Sequence, residues 1–193
     1  MFGVPAFEVM CELLRRRGVG GATALAGVDG TRQGRRQRAH FFSRHGDVPM
    51  MVVAVGAGQQ LGALLPELGD LLRDPRMTLD RVQVCKRDGE LIGAPQAPPA
   101  GGDDGLAPWQ QLTVYASGAS RHDGQPLHRT LVRRLLAAGI SGATTQPGSW
   151  GFRGEHGPDG GQHLLPFGEH VPAVTVVVDA PARIPARSPS STS

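Results

Sequence analysis

Residues 3–32 read GVPAFEVMCELLRRRGVGGATALAGVDGTR, and residues 124–153 read GQPLHRTLVRRLLAAGISGATTQPGSWGFR. Laid one on the other, they pair Gly3 with Gly124, Pro5 with Pro126, Leu14 with Leu135 and Gly18 with Gly139. Gly21-Ala22-Thr23 then falls on Gly142-Ala143-Thr144, Gly27 on Gly148, Gly30 on Gly151 and Arg32 on Arg153. Identities recurring in one order at one displacement mark a duplication. Two extra residues in the second copy shift the register, after which His40 matches His163 and Val48-Pro49 matches Val171-Pro172.

Each copy opens with an amphipathic helix. Pro5 and Pro126 suit a first helical position, where the missing N–H has no intrahelical partner. Phe7, Met10 and Leu14 recur at helical spacing, as do Leu127, Leu131 and Leu135. Gly18 and Gly139 stand where a helix end asks for a left-handed residue. A short strand follows, over 22–26 or 143–146, then a glycine-bounded loop. Next come the unbroken apolar runs Met50 to Val55 and Val174 to Val178, which suit central strands covered by helices.

The first copy continues with a helix over 59–72, where Pro66 should kink or restart it, and a last strand over 79–85. The second copy has an opening strand that the first lacks, in which Leu112, Val114 and Ala116 alternate with Thr113 and Tyr115. Overlaid, the copies reconstruct β-α-β-β-α-β, an α/β (α+β) ferredoxin-like plan. The first unit, 1–85, lacks strand one; the second, 110–181, lacks the last helix and strand. Between them, 86–109 reads as a flexible Gly/Pro linker, and 182–193 as a disordered Pro/Ser/Arg tail.

The bulk numbers narrow the function classes. Gly (28) and Pro (16) are enriched and hydrophobic residues make up 39%, as expected of structured units separated by loose stretches. A net charge of +3 falls short of a protein that coats nucleic acid, and Arg, suited to phosphate and carboxylate, supplies nearly all of the positive charge. Cys11 and Cys85 lack metal or redox spacing and read as inert thiols. Glu8 and Glu12 interrupt the early apolar stretch where a signal peptide would need continuity. The longest apolar run, Val48 to Val55, is too short to span a bilayer. The expectation is a cytoplasmic protein without a membrane segment.

In this order the motifs resemble a known family. Gly-x-Pro-apolar, a helix, Gly-Ala-Thr, Gly-x-x-Gly, a basic loop with a His, and Val-Pro into an apolar strand are similar to the PII-like proteins of the domain of unknown function 190 family, here in tandem. The resemblance covers about 3–85 and 110–180 and includes the Leu65-Pro66 step. It implies a ferredoxin-like core and, by analogy with PII signalling proteins, homo-oligomers (trimers) that bind small ligands in clefts between subunits. It implies no chemistry. The copies depart from each other at one place: Gly148-Ser149-Trp150-Gly151-Phe152 keeps the aromatic that the family favours, whereas Gly27-Val28-Asp29-Gly30-Thr31 has none.

The candidate ligand-binding residues are Gly27, Gly30, Arg32, Arg35, Arg36 and His40 in the first copy, with Gly148, Gly151, Arg153 and His163 in the second. Four guanidinium groups, those of Arg32, Arg35, Arg36 and Arg38, lie on the loop that in the PII architecture contacts ligand or partner, and they would grip a nucleotide-like anion or an acidic protein surface. The plainer reading is a solvated basic loop. The second loop keeps only Arg153 and adds Glu155 and Asp159, so an anion site belongs to the first copy. The Gly-x-x-Gly pairs have no helix behind them and read as tight turns rather than phosphate cradles. His40 and His163 read as loop-base polar groups; no metal set is expected, and no cofactor beyond a nucleotide ligand.

Two other classes share the plan. RNA-recognition modules stack bases on aromatics of their central strands, and neither apolar strand has one, so nucleic acid is not the expected partner. An acylphosphatase-like enzyme is the catalytic alternative, because Val114-Tyr115-Ala116-Ser117-Gly118 with Arg121 resembles its phosphate loop. The chain contains no Asn to position a water and no Ser/His/Asp or paired-carboxylate set. Binding without catalysis is the expectation.

Overall fold

In the computed structural model the described residues are 4–32, 35–38, 49–72, 75–87, 89–94, 109–153, 159–160 and 172–180. In chain order they form α1 (Ala6–Arg16), β1 (Gly21–Ala26), β2 (Asp29–Arg32), β3 (Arg35–Arg38), β4 (Met50–Val55), α2 (Gly58–Leu71), β5 (Lys86–Arg87) and β6 (Glu90–Leu91). The second half supplies β7 (Gln110–Ser117), β8 (Arg121–His122), β9 (Gln125–Pro126), α3 (Leu127–Ala137), β10 (Ala143–Pro147), β11 (Trp150–Arg153), β12 (Asp159–Gly160) and β13 (Pro172–Asp179). The class is mixed α+β, with small sheets in place of one long one.

The duplication is visible in the backbone. Gly18 closes α1 at φ +73°, its amide donating to Arg15 O at 2.9 Å while Val19 N donates to Leu14 O at 3.0 Å. Gly139 closes α3 at the same φ, donating to Leu136 O at 3.0 Å, and Ile140 N donates to Leu135 O at 3.1 Å. Both ends are the two-bond left-handed cap that glycine permits without Cβ strain. Pro5 and Pro126 are the capping residues, one position ahead of the first helical residue.

The chain divides into two compact units, and these do not follow the copies end to end. The first draws on Met1–Thr78, Ala116–Ser120 and Gln146–Ala173; the second on Leu79–Tyr115, Arg121–Thr145 and Val174–Ser193. The first unit therefore takes in a hairpin from the second copy. Its sheet runs β12-β11-β1-β4. β1 pairs antiparallel with β4 from Gly21↔Val55 to Ala26↔Met50, and on its other side with β11 from Gly21↔Arg153 to Ala24↔Trp150. Phe152 thereby enters a core of Phe7, Cys11, Leu14, Val19, Ala22, Ala24, Leu64 and Leu68. α1 faces this core through Phe7, Cys11 and Leu14, with Met10 packed at its margin.

α2 is one continuous helix through Pro66. The expected restart does not occur. Proline has no N–H, so the Gly62 carbonyl one turn back has no amide there to accept from, and burial of Leu64 and Leu68 on either side holds the helix on the core. Gln60 Nε2 donates to Arg17 O at 2.6 Å and Arg17 meets Glu67 at 2.8 Å, fastening α2 to the end of α1.

In the second unit the sheet order is β10-β13-β7, so the opening strand of the second copy lies beside its apolar strand as the ferredoxin-like order requires. Asp179, 1% exposed, accepts from Ser141 N at 2.8 Å, Ser141 Oγ at 3.2 Å and Ala180 N at 2.7 Å. Thr145 and Thr175 hydroxyls meet at 2.8 Å across β10 and β13. α3 buries none of its residues fully, and Leu136 is left 75% exposed.

Two expectations need correction. Residues 79–85 form no strand, and Leu79 and Val82 are 55% and 67% exposed. Its apolar side chains stay exposed, so no burial holds the stretch in a ladder among the described residues. The expected flexible linker also begins with structure. β5 and β6 pair across Gly89 at φ +88°, and Ile92 N donates to Cys85 O at 2.8 Å. Residues 95–108 and the tail from 181 lie outside the described residues.

Candidate functional site

After β1 the chain turns into the hairpin β2–β3. Gly27 N donates to Pro49 O at 2.9 Å, and a Cβ on Gly30 would lie 2.8 Å from Pro49 Cγ. The second copy repeats this. Gly148 N donates to Pro172 O at 2.7 Å, and Cβ atoms on Gly148 and Gly151 would lie 2.7 and 3.2 Å from Pro172 Cγ. None of the four glycines has a positive φ. Gly27 is crowded by the Pro49 carbonyl and Gly30 by its ring, and Gly148 and Gly151 by the Pro172 ring, which corrects the tight-turn reading: close approach, not left-handed backbone, demands glycine here.

The ladder of β2 and β3 places Asp29 opposite Arg38, Gly30 opposite Gln37, Thr31 opposite Arg36 and Arg32 opposite Arg35. Four arginine positions therefore lie on one two-stranded ribbon, with Arg32 and Arg35 opposite each other at one end of it. Arg36 is already engaged. Its Nε donates to both Asp29 oxygens at 3.0 and 3.1 Å, and its Nη2 to Oδ2. The Asp29 carboxylate raises the Arg36 pKa further above its ordinary value, so Arg36 enters any anion site with its charge partly compensated.

In the second copy the same segment serves the sheet. Trp150 is half-buried, Phe152 is 5% exposed, and a Cβ on Gly151 would lie 2.6 Å from Ala22 O. Arg153, exposed, ends β11 opposite Gly21. The structure therefore brings Gly27, Gly30, Arg32, Arg35 and Arg36 onto one hairpin, and gives Gly148, Gly151 and Arg153 to a different strand pairing. His40 and His163 lie outside the described residues.

One cluster was not singled out from the sequence. Arg134 places Nη2 2.7 Å from His122 Nε2, and His122 lies 3.3 Å from Asp123. His128 is lowered by burial and by Arg129 and Arg121. The signal was Arg121-His122-Asp123-Gly124, a turn that returns the chain to α3. Cys11 is fully buried, and burial with Glu8 nearby pushes its thiol up to about 12. Among the described residues no three His, Cys, Asp or Glu side chains come together to hold a metal ion, and no helix is long and apolar enough to cross a membrane.

A family model described as DUF190, Uncharacterized ACR, COG1993, matches residues 1–84 and 109–191. No curated protein and no solved structure matches the chain. The two matched segments fall on the two copies read from the sequence and together span most of its length, so this chain belongs to the domain of unknown function 190 family, in tandem.

Proposed function

We propose that this chain is a cytoplasmic PII-like regulatory protein, built on two ferredoxin-like units, that binds a small nucleotide-like anion on its first copy without catalysis of its own. The observation that carries the reading is the β2–β3 ribbon, with Arg32, Arg35, Arg36 and Arg38 on a hairpin that is separate from the main sheet. Charge-assisted hydrogen bonds to phosphate from paired arginines suit that geometry. Asp29 tempers the site, favouring a multiply charged ligand able to compete for Arg36. By the family analogy the protein assembles as a homo-oligomer.

Two features weigh against the enzyme reading. The Cys11 thiol is buried and held protonated, so it is no nucleophile. Ser117, in the stretch resembling a phosphate loop, accepts the Ala119 amide on its Oγ at 3.3 Å and closes a local turn.

Calorimetric titration with ATP and other nucleotides tests the reading. Replacing Arg32, Arg35 and Arg36 together by Ala should abolish binding, because each charge-assisted bond is worth about 1.5–3 kcal/mol. The thermal midpoint should barely move, since exposed arginines contribute about 0–1 kcal/mol each. Equal binding to both proteins would reduce the hairpin to a solvated ribbon.

A further inference from the structure

The duplication makes each strand pairing of one copy a template for the other. The chain satisfies one such pairing internally: β1, from the first copy, receives β11, from the second, in the register Gly21↔Arg153, Ala22↔Phe152, Thr23↔Gly151, Ala24↔Trp150. The repeat-related strands are β10, equivalent to β1, and β2, equivalent to β11. Among the described residues β10 is the edge of its sheet, and β2 pairs with β3 on one side only. One receiving edge and one inserting edge are thus left over.

Three local features mark these edges as copies of an occupied one. A Cβ on Gly21 would lie 3.3 Å from Phe152 O, whereas its equivalent Gly142 has nothing within 4 Å and no positive φ to explain the glycine. Gly148 is hemmed in by Thr23 and Ala24 as well as by its proline, whereas the three described atoms nearest a Cβ on Gly27 all belong to Pro49. Ser149 N donates to Ala24 O at 2.7 Å, whereas the equivalent Val28 stands 79% exposed. The direction of the backbone agrees. Gly142 O accepts from Val178 N on β13, so the alternating Ala143 and Thr145 amides and carbonyls face the open edge.

The geometry points to a second copy of this chain as the occupant: β2 of one molecule adds to β10 of another, with Thr31 opposite Ala143 and Gly30 opposite Thr144. The inference rests on the assembly half of the proposed function and not on its ligand half. Each chain carries one inserting and one receiving edge, so association is head to tail. Asp29 and Thr31 replace the rings of Trp150 and Phe152, so this ladder buries less than the internal one and dissociates on dilution.

Register-matched cross-linking tests it. Antiparallel Cα partners lie about 4.5–5.5 Å apart, within disulfide range. Two singly substituted chains, Thr31→Cys and Ala143→Cys, each also Cys85→Ser and one tagged for size, are mixed and mildly oxidised. A covalent heterodimer should form at a yield about tenfold above that of Thr31→Cys mixed with Val178→Cys, an exposed position on β13 away from the edge. Sedimentation of the wild type should show mass rising with concentration. No cross-link, or equal yields in the two mixtures, overturns the strand assignment while an observed oligomer leaves the family analogy standing. A wild type that stays monomeric across the concentration range overturns both.

Discussion

Phe152→Ala should destabilise the first unit by about 3–5 kcal/mol, the usual cost of removing a well-packed core phenylalanine. The ring is 5% exposed and belongs to the second copy, yet the core it joins is made of Phe7, Cys11 and Leu14 from α1 and Leu64 and Leu68 from α2, with residues of β1. At about 2–4 °C per kcal/mol for a chain of this size, the midpoint falls by roughly 6–20 °C. Urea unfolding followed by tryptophan fluorescence reads this well, because Trp150 is half-buried two residues away while Trp109 is 62% exposed. Thr31→Ala, at the equivalent and exposed position of the first copy, should stay within about 0.5 kcal/mol. Gly151→Ala is an independent check. Its Cβ would lie 2.6 Å from Ala22 O, so β1 and β11 must part, at about 1–3 kcal/mol. A loss below about 1 kcal/mol for Phe152→Ala would refute the shared core.

The remaining predictions concern titration and reactivity. Arg15 and Arg16 hold the Glu12 carboxyl down to about 2. Its contribution is then complete above its unperturbed value of 4.5 and is lost as the pH falls through about 2, so Glu12→Gln should lower stability slightly at neutral pH, with the difference from wild type vanishing as the pH falls through about 2. With its thiol pushed up to about 12, Cys11 should resist a thiol reagent at pH 8 while partly exposed Cys85 reacts; counting thiols before and after denaturation should give one and then two.

Much of the fold was legible. The glycine caps at Gly18 and Gly139, the apolar strands β4 and β13, and the place of β7 beside β13 all follow from local rules. Strand exchange was not, because a repeat shows that two strands are alike without showing which edge each meets, and backbone ladders are interchangeable. The one clue was compositional: Trp150 and Phe152 need a core, while Asp29 and Thr31 in the same places do not. The strand expected over 79–85 failed because a local pattern cannot show whether a neighbouring strand lies there to receive it. In the candidate site, the hairpin and its arginines were legible as a charged run between glycines. The pairing of Arg36 with Asp29, seven residues apart, was not, since it depends on the ladder register. Nor was the service of the glycines to Pro49 and Pro172, which depends on contacts across a gap in sequence.

The most direct test of the central claim is an amide-resolved NMR titration of the full chain with ATP. If the first-copy hairpin is the anion site, the largest shifts fall on amides between Asp29 and Arg38, with the amides of Trp150 to Arg153 little changed. Shifts centred instead on Arg121, His122, His128 and Arg134 in the second copy, or no saturable shift at millimolar nucleotide, would contradict it.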